Sequence, residues 1–512
     1  MALAEVQVRM PENSVAARAW LRPAFCLRLV LAFVAMGSVC RVSQYLSRRS
    51  FWQDEVFLLL NLREKLPAQL FGPLDARSRE PQAAPPGFLQ IEKFLFDRWG
   101  PSELAMRSVA QALGLLSLPL MARVAWRLLP AAGAVCAVGL FALSDELIAH
   151  AAELKPYSGD AFFACLLVWL ATRRGDDPGG GRPDARRLWA VTLAASAAVW
   201  FSYTSVFVAG GIILAMLITG RPRGMQMTWV WVLAVVPLAL SVGLVYRVSV
   251  RFQQDPLLKT QWAEYLADWD HPLGLPRWAA RGTFYLANSS AAGAGPMVLA
   301  LSIAGGVALW RAGAMQGRRT LALLLAPIVL CFLAATVRAY PYGGARTSSF
   351  LAPLVCLLAG AGFAALVALR RHRAARATGW VLAGLSLAIL LGQAGRYLFV
   401  PRVRSHMRPI VEYLREHRRP GDVVYVIGGG ASEVYRCYAR PIDADDALTV
   451  LDAPKDRLLP PRRGRFWLVS AGSPERLTES MKPLLAQACA VARPGESHTV
   501  RGGVAYLFER SD

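Results

Sequence analysis

The sequence predicts a polytopic α-helical membrane protein: a bundle of about eleven transmembrane helices, interfacial helices in its first outer loop, and a small C-terminal extracytoplasmic α/β domain. Three observations lead there. Of the 512 residues 55% are hydrophobic and only 18% charged, with a mean hydropathy of +0.35, whereas soluble domains carry about 25% charged residues. Apolar runs approaching the roughly 20 residues needed to cross a hydrocarbon core recur along the chain, separated by short Arg-rich breaks. From about residue 405 the composition turns soluble-like, and strand patterns replace the long apolar runs.

A net charge of +22 invites a nucleic-acid reading. The positions of the arginines argue against it. Arg173-Arg174, Arg186-Arg187, Arg221 with Arg223, Arg318-Arg319 and Arg370-Arg371-His372-Arg373 all sit at ends of apolar runs, where anchoring and topology account for them. Six of the eight cysteines lie inside apolar runs with no metal-type spacing, as small core residues do. Cys437 and Cys489 fall in the tail and could pair if that part faces an oxidising compartment.

The elements follow in order. Residues 1–23 form a cytoplasmic segment, because Arg18, Arg22 and Arg28 precede or open the first span, about Phe25 to Gln44. That span lacks a small-residue cleavage site and is retained rather than removed. Residues 45–101 form a long outer loop with helical patterns at about 55–66 and 87–98. In the second, Phe88, Ile91, Phe94 and Leu95 oppose Glu92, Lys93 and Asp97, as on a helix lying in a membrane interface.

Further spans are expected near 104–126, 131–149 and 157–171. The loop 173–187 returns to the cytoplasm, with Gly179-Gly180-Gly181 as a turn. Residues 188–220 are long for one span and short for two; the cytoplasmic preference of Arg221 and Arg223 favours a tight hairpin turning near Ser202–Ser205. The remaining spans lie near 228–247, 293–310, 320–337, 348–369 and 377–399, and 248–292 is a second large outer loop. Eleven crossings place the carboxyl terminus outside. In the tail, Asp422–Ile427, Phe466–Val469 and Val504–Phe508 read as strands, with helices at about 406–417 and 475–488. The domains are thus 1–23, a membrane catalytic unit 24–400 and an extracytoplasmic unit 401–512.

Chemistry-bearing residues gather at the outer ends of these spans. Asp54 and Glu55 follow the first span within Phe51-Trp52-Gln53-Asp54-Glu55. A carboxylate shielded at the membrane rim suits a general base, and Asp54 is equally placed to cap the helix that begins near Glu55. Glu153-Leu154-Lys155-Pro156-Tyr157 joins two spans; Lys155 is suited to a phosphate oxygen or to holding a catalytic carboxylate, or else snorkels beside Glu153. Arg338-Ala339-Tyr340-Pro341-Tyr342-Gly343-Gly344-Ala345-Arg346 forms another junction. Its guanidinium groups suit a phosphate and its tyrosines an isoprenoid or sugar face. A cation at a helix start, as at Arg346, is not explained by the helix dipole. In the second outer loop Asp268, Asp270 and His271 suit an acceptor-orienting loop, a solvated turn or, less specifically, a divalent cation. Gly428-Gly429-Gly430 reads as an ordinary strand-to-helix turn, without the lysine or the glycine spacing of a nucleotide fingerprint.

Taken together, the motifs resemble those of the polyprenyl-phosphate-dependent GT-C glycosyltransferases, the bacterial family related to protein mannosyltransferases, aminoarabinose transferases and rhizobial lipopolysaccharide-core glycosyltransferases. Phe51–Glu55 looks like that family's first-loop acidic motif, and Ala84-Pro85-Pro86-Gly87-Phe88 resembles its His-Pro-Pro-Leu-Tyr segment, with Ala84 in the histidine's place. Glu153–Tyr157 resembles its Glu-Ala-Arg-Pro-Tyr stretch, with Lys155 for arginine. Arg346 with Pro353 is similar to its later arginine segment, where Thr347 departs from a tyrosine.

The resemblance spans most of 20–400 and implies a GT-C-like bundle in the bacterial inner membrane. It further implies an inverting transfer of sugar from a polyprenyl-phosphate donor to an envelope glycan, lipid or protein acceptor. Asp54, Glu55 and Lys155 become the catalytic candidates, and Arg346, Tyr157, Arg338, Tyr342 and Glu153 the donor-binding ones. The scheme requires no metal and leaves a divalent ion open, and it involves no nucleic acid. Two alternatives use the same features: a transporter or flippase for a phosphate-containing lipid or glycolipid, and an envelope assembly protein whose tail recruits partners.

Overall fold

In hydrocarbon a backbone must satisfy its own hydrogen bonds, so each apolar run has one economical solution, the helix. The computed structural model describes residues 23–75, 82–172, 183–219, 225–254, 260–312, 315–344, 346–369, 371–428, 430–439, 448–451, 458, 461, 464–472 and 474–510. Much of the expected 1–23 segment, Arg173-Arg174, the 179–181 turn, Arg221, Arg223 and Arg370 lie outside them.

Helices stand at every predicted span. In chain order they are α1 (Pro23–Leu46), then α2 (Gln53–Glu64) and α3 (Pro86–Trp99) in the first loop, α4 (Glu103–Leu128), α5 (Ala131–Leu143), the short α6 (Asp145–His150), α7 (Tyr157–Thr172), α8 (Pro183–Ala198), α9 (Ser205–Thr219) and α10 (Met225–Val245). They continue with α11 (Leu275–Ser290), α12 (Gly295–Arg311), α13 (Met315–Thr336), α14 (Ala352–Ala368) and α15 (Arg373–Phe399). Among the described residues six helices are long and apolar enough to cross a membrane alone, or seven if the pair Pro272–Ser290 and Gly295–Arg311, bent by 105°, forms one span. The break between α8 and α9 falls at the expected hairpin turn.

The bundle closes around α14. Its span, Arg346–Ala368, has 78% of its apolar window buried, against 22% for the spans holding α1, α10 and α15, which identifies it as the central helix. Small residues make that possible: a Cβ on Gly362 would collide with the Leu301 carbonyl of α12, and one on Gly360 with Gly133 of α5. Such close backbone approach is how helices pack where lipid removes the hydrophobic drive between them.

Two features of the loops add to the sequence pattern. The second outer loop contains α11, whose Leu286, Ala287 and Ser290 are buried. In α3 Ile91 and Phe94 are exposed, as on an interfacial helix, whereas Glu92 is wholly buried. Phe88 and Leu89 pack inward against α2 and α4, and they carry Glu92, one turn further on, in with them.

The tail folds as α16 (Arg408–His417), β1 (Val423–Ile427), α17 (Ala431–Ala439), β2 (Leu448–Leu451), β3 (Gly464–Ala471), α18 (Pro474–Val491), β4 (Arg493–Val500) and β5 (Gly503–Arg510). The sheet order is β2-β1-β3-β5-β4, with β1 parallel to β2 and β3, and β5 antiparallel to β3 and β4. Period-two alternation gives it two apolar faces. Tyr425, Ile427, Phe466, Leu468 and Phe508 pack with Leu484 and Ala488 of α18. Val424, Val426, Trp467, Val469 and Leu507 join a single core with α16, α17 and the first-loop residues Phe51, Val56, Leu58, Leu62 and Phe88. Cys437 and Cys489 are both free thiols, so the pairing that the sequence left open is not formed.

Candidate active site

At the end of α1 the chain turns through Arg48, held at φ +45°, and runs into the stretch that carries Asp54. Almost every residue of that stretch is tied down. Arg49 is buried and donates to the carbonyls of Ala149 (3.2 Å), Ala152 (2.8 Å) and Arg402 (2.6 Å). Ser50 Oγ lies 2.7 Å from His406 Nδ1 and accepts from the Arg408 backbone N–H at 2.9 Å. The Phe51 N–H donates to Tyr438 Oη at 2.6 Å.

Asp54 and Glu55 then part company. The helix starts one residue earlier than the expected cap: Glu55, not Asp54, accepts the Trp52 N–H, at 3.1 Å. Glu55 is fully buried, and its two oxygens receive Arg107 Nε (2.8 Å) and Nη2 (2.7 Å) and the Leu154 N–H (2.7 Å). Instead of the catalytic position expected for it, Glu55 ties α2, α4 and the 153–157 segment together. Asp54 stays partly open and pairs with Arg346 Nη1 at 2.8 Å, across 292 residues of sequence.

Lys155 completes this group. Its Nζ donates to Gln82 Oε1 at 2.8 Å; burial holds the ammonium below the usual lysine range, while Asp54 pulls the other way. It does not snorkel beside Glu153. That buried carboxylate lies 3.0 Å from Arg404 Nε and 3.3 Å from His150 Nδ1. Burial pushes Glu153 up, but Arg404, His150 and Arg49 outweigh it and keep the carboxylate well below its ordinary range. Tyr157 is buried against His150, ring centroids 4.9 Å apart. Two donor-binding candidates stand apart from this group. Arg338 is exposed at φ +58°, and the Tyr342 hydroxyl is buried against Thr283 at 3.1 Å.

Beside Arg346 opens a cavity of about 450 Å³, lined among others by Glu146, His150, Tyr265, Arg281, Tyr285 and Asn288. Two arginines that follow α15, Arg402 and Arg404, line it as well. Arg402 grips Asp145 (2.6 Å) and Glu146 (2.7 Å) of α6. Sequence reading passed over both, because the contacts span some 250 residues and basic residues after an apolar run look like interface anchors. Asp268 pairs with His271 at 2.9 Å on the exposed loop; among the described residues no group of three or more His, Cys, Asp or Glu side chains is arranged to hold a metal ion.

No protein-family model and no curated protein sequence matches the chain. Solved structures do. The chain is similar to ArnT from Cupriavidus metallidurans bound to undecaprenyl phosphate, at 13% identity and TM-score 0.50, covering 95% of this chain and 98% of that one. It is also similar to the Archaeoglobus fulgidus oligosaccharyltransferase in its apo form, at 9% identity and TM-score 0.51, covering 82% of this chain and 64% of that one. The polytopic helical bundle with its small C-terminal sheet is therefore the GT-C fold.

Proposed function

We propose that this chain is an inverting glycosyltransferase of the inner membrane, moving a sugar from a polyprenyl-phosphate donor to an envelope glycan, lipid or protein on the extracytoplasmic face. One observation carries the reading. Asp54 and Arg346, a carboxylate and a guanidinium expected to serve base and phosphate, meet at 2.8 Å with buried Lys155 in the same charge cluster. The likeness in fold to a protein crystallised with undecaprenyl phosphate supports the choice of donor. On this reading 24–400 is the catalytic unit and 401–512 an extracytoplasmic one.

The chemistry follows from charge. As the bond between the anomeric carbon and the phosphate oxygen breaks, the phosphate passes from one negative charge toward two, and Arg346 and Lys155 stabilise that increase. The acceptor oxygen or nitrogen bonds to the same carbon from the opposite side and gives its proton to Asp54. Arg346 pairs with Asp54; a bound phosphate competes for that guanidinium and frees the carboxylate for the acceptor. Glu55 and Arg107 keep the geometry rigid from behind.

The test is reconstitution of the full chain with a panel of polyprenyl-phosphate sugars and envelope acceptors, wild type beside Asp54→Asn. Loss of the base should lower turnover by about 10²–10⁴-fold with the protein still folded. Unchanged transfer removes Asp54 from that role. Lipid-dependent transport without turnover on any donor moves the reading to a transporter or flippase.

A further inference from the structure

The arginines that line the cavity differ in what they have left to offer. Arg402 spends both terminal nitrogens on Asp145 and Glu146, and Arg346 gives Nη1 to Asp54. Arg404 is held by an ion pair at its root and by a ring beneath its head. Its Nε sits 3.0 Å from Glu153 Oε1, and among the described residues its two terminal nitrogens have no hydrogen-bond partner. Its guanidinium lies 4.6 Å from the centre of the Trp52 ring, and that of Arg346 lies 4.8 Å from the same ring. One indole, two residues before Asp54, therefore sets the place of both cations. The Trp52 Nε1–H is itself buried and unpartnered.

The backbone around Arg404 is equally constrained. Arg402 is anchored on α6, the Arg402 carbonyl accepts from Arg49, and His406 is held between Ser50 and the Gly502 carbonyl, which accepts its N–H at 2.8 Å. Arg404 sits midway along a strap pinned at both ends. Glu153, the ion-pair partner of Arg404, is itself fixed by His150. A guanidinium positioned this way, with two donors open to a cavity shared with Arg346, has the planar fork that matches phosphate oxygens.

We propose that Arg404, carried by the strap that leads into the tail, is a second phosphate-binding arginine of this site and acts chiefly on the departing polyprenyl phosphate. The inference rests on the proposed function. The donor is a phosphodiester with one negative charge. When its bond to the anomeric carbon breaks, the electron pair stays on the phosphate oxygen, and the monoester that leaves carries close to two charges at neutral pH. A cation added to Arg346 and Lys155 therefore matters more to the leaving group than to the bound donor.

The experiment measures binding of a polyprenyl monophosphate, and of a polyprenyl-phosphate sugar, to the full chain in nanodiscs for wild type, Arg404→Gln and Arg404→Lys. Arg404→Gln should weaken the monophosphate by about tenfold or more and the donor by less, lowering kcat more than it raises KM, with Arg404→Lys recovering part of the loss. Should Arg404→Gln not fold, wild type answers instead: bound monophosphate should shield Arg404 from phenylglyoxal, read by mass spectrometry. Equal monophosphate binding by wild type and Arg404→Gln, or equal modification of Arg404 with and without the lipid, overturns the inference. Wild type that binds no polyprenyl phosphate overturns the proposed function itself.

Discussion

Asp54 and Glu55 are adjacent carboxylates with opposite surroundings, and the difference decides what each can do. Glu55 has no exposed surface and its oxygens are committed to Arg107 and two backbone N–H groups, so it has no lone pair directed at a substrate. Its removal is a stability experiment. Glu55→Gln leaves Arg107 buried without its counter-charge, and breaking a buried pair from one side costs about 3 kcal/mol or more. The melting temperature in detergent should fall sharply, whereas a near-wild-type melt would mean that the pair adds little. At this scale the sequence is informative where a residue type is unusual for its place: Asp54, Lys155 and Arg346 stand out because charged groups at the ends of apolar runs need a reason. It was uninformative where a charge looked ordinary. Arg107 reads as one more polar residue in α4, and Arg404 as an anchor, until the fold brings Glu55 and Trp52 beside them.

The strap from Pro401 to Met407 is the element that the pattern of helices and strands concealed. It has no periodicity of its own, yet it fixes the Asp54 loop through Arg49, Ser50 and Trp52. His406 makes that fixing sensitive to pH. Burial, then the nearby Arg408 and Arg107, lower its pKa from 6.5 to about 4, so the folded protein holds it neutral against Ser50. The unfolded chain binds a proton near pH 6.5 that the folded one refuses until about pH 4. His406 therefore contributes fully above the unfolded value, and its contribution is lost as pH falls through that window. The stability of wild type should drop more steeply between those limits than that of His406→Gln, which has no proton to take up; parallel pH profiles of the two melts would remove His406 as the cause. Helices at the predicted spans were legible from hydropathy, and among the described residues six or seven are long and apolar enough to cross a membrane. The burial of Glu92 in α3 was not, since it follows from the packing of Phe88 and Leu89 in the core shared with α2 rather than from the amphipathic pattern of α3.

At the scale of the molecule, tail and membrane bundle are joined through the first loop. Val56, Leu58 and Leu62 of α2 share one apolar core with Ile410, Val411, Val434 and Trp467 of the tail, while Gly430, at φ +74°, leaves room only for Gln53 against the turn after β1. A Cβ on Gly430 would meet that Gln53 side chain at 2.5 Å, one residue from Asp54. From composition the tail reads as a separate soluble unit, because its strands and helices carry soluble signatures. What composition cannot reveal is that one face of its sheet is completed by residues nearly four hundred positions earlier. This shared core predicts which parts open together. Trp467 is fully buried and donates to Asp422 at 3.0 Å, so Trp467→Ala removes the centre of that face and costs about 3–5 kcal/mol. Hydrogen exchange followed by mass spectrometry should then show residues 53–62 losing protection together with 408–414 and 423–427, while α14 keeps its own. If only the tail peptides lose protection, the first loop draws its order from the bundle. Joint loss would mean that the loop carrying Asp54 is folded by the tail, and that a change in the tail's sheet reaches the site without touching any residue that lines it.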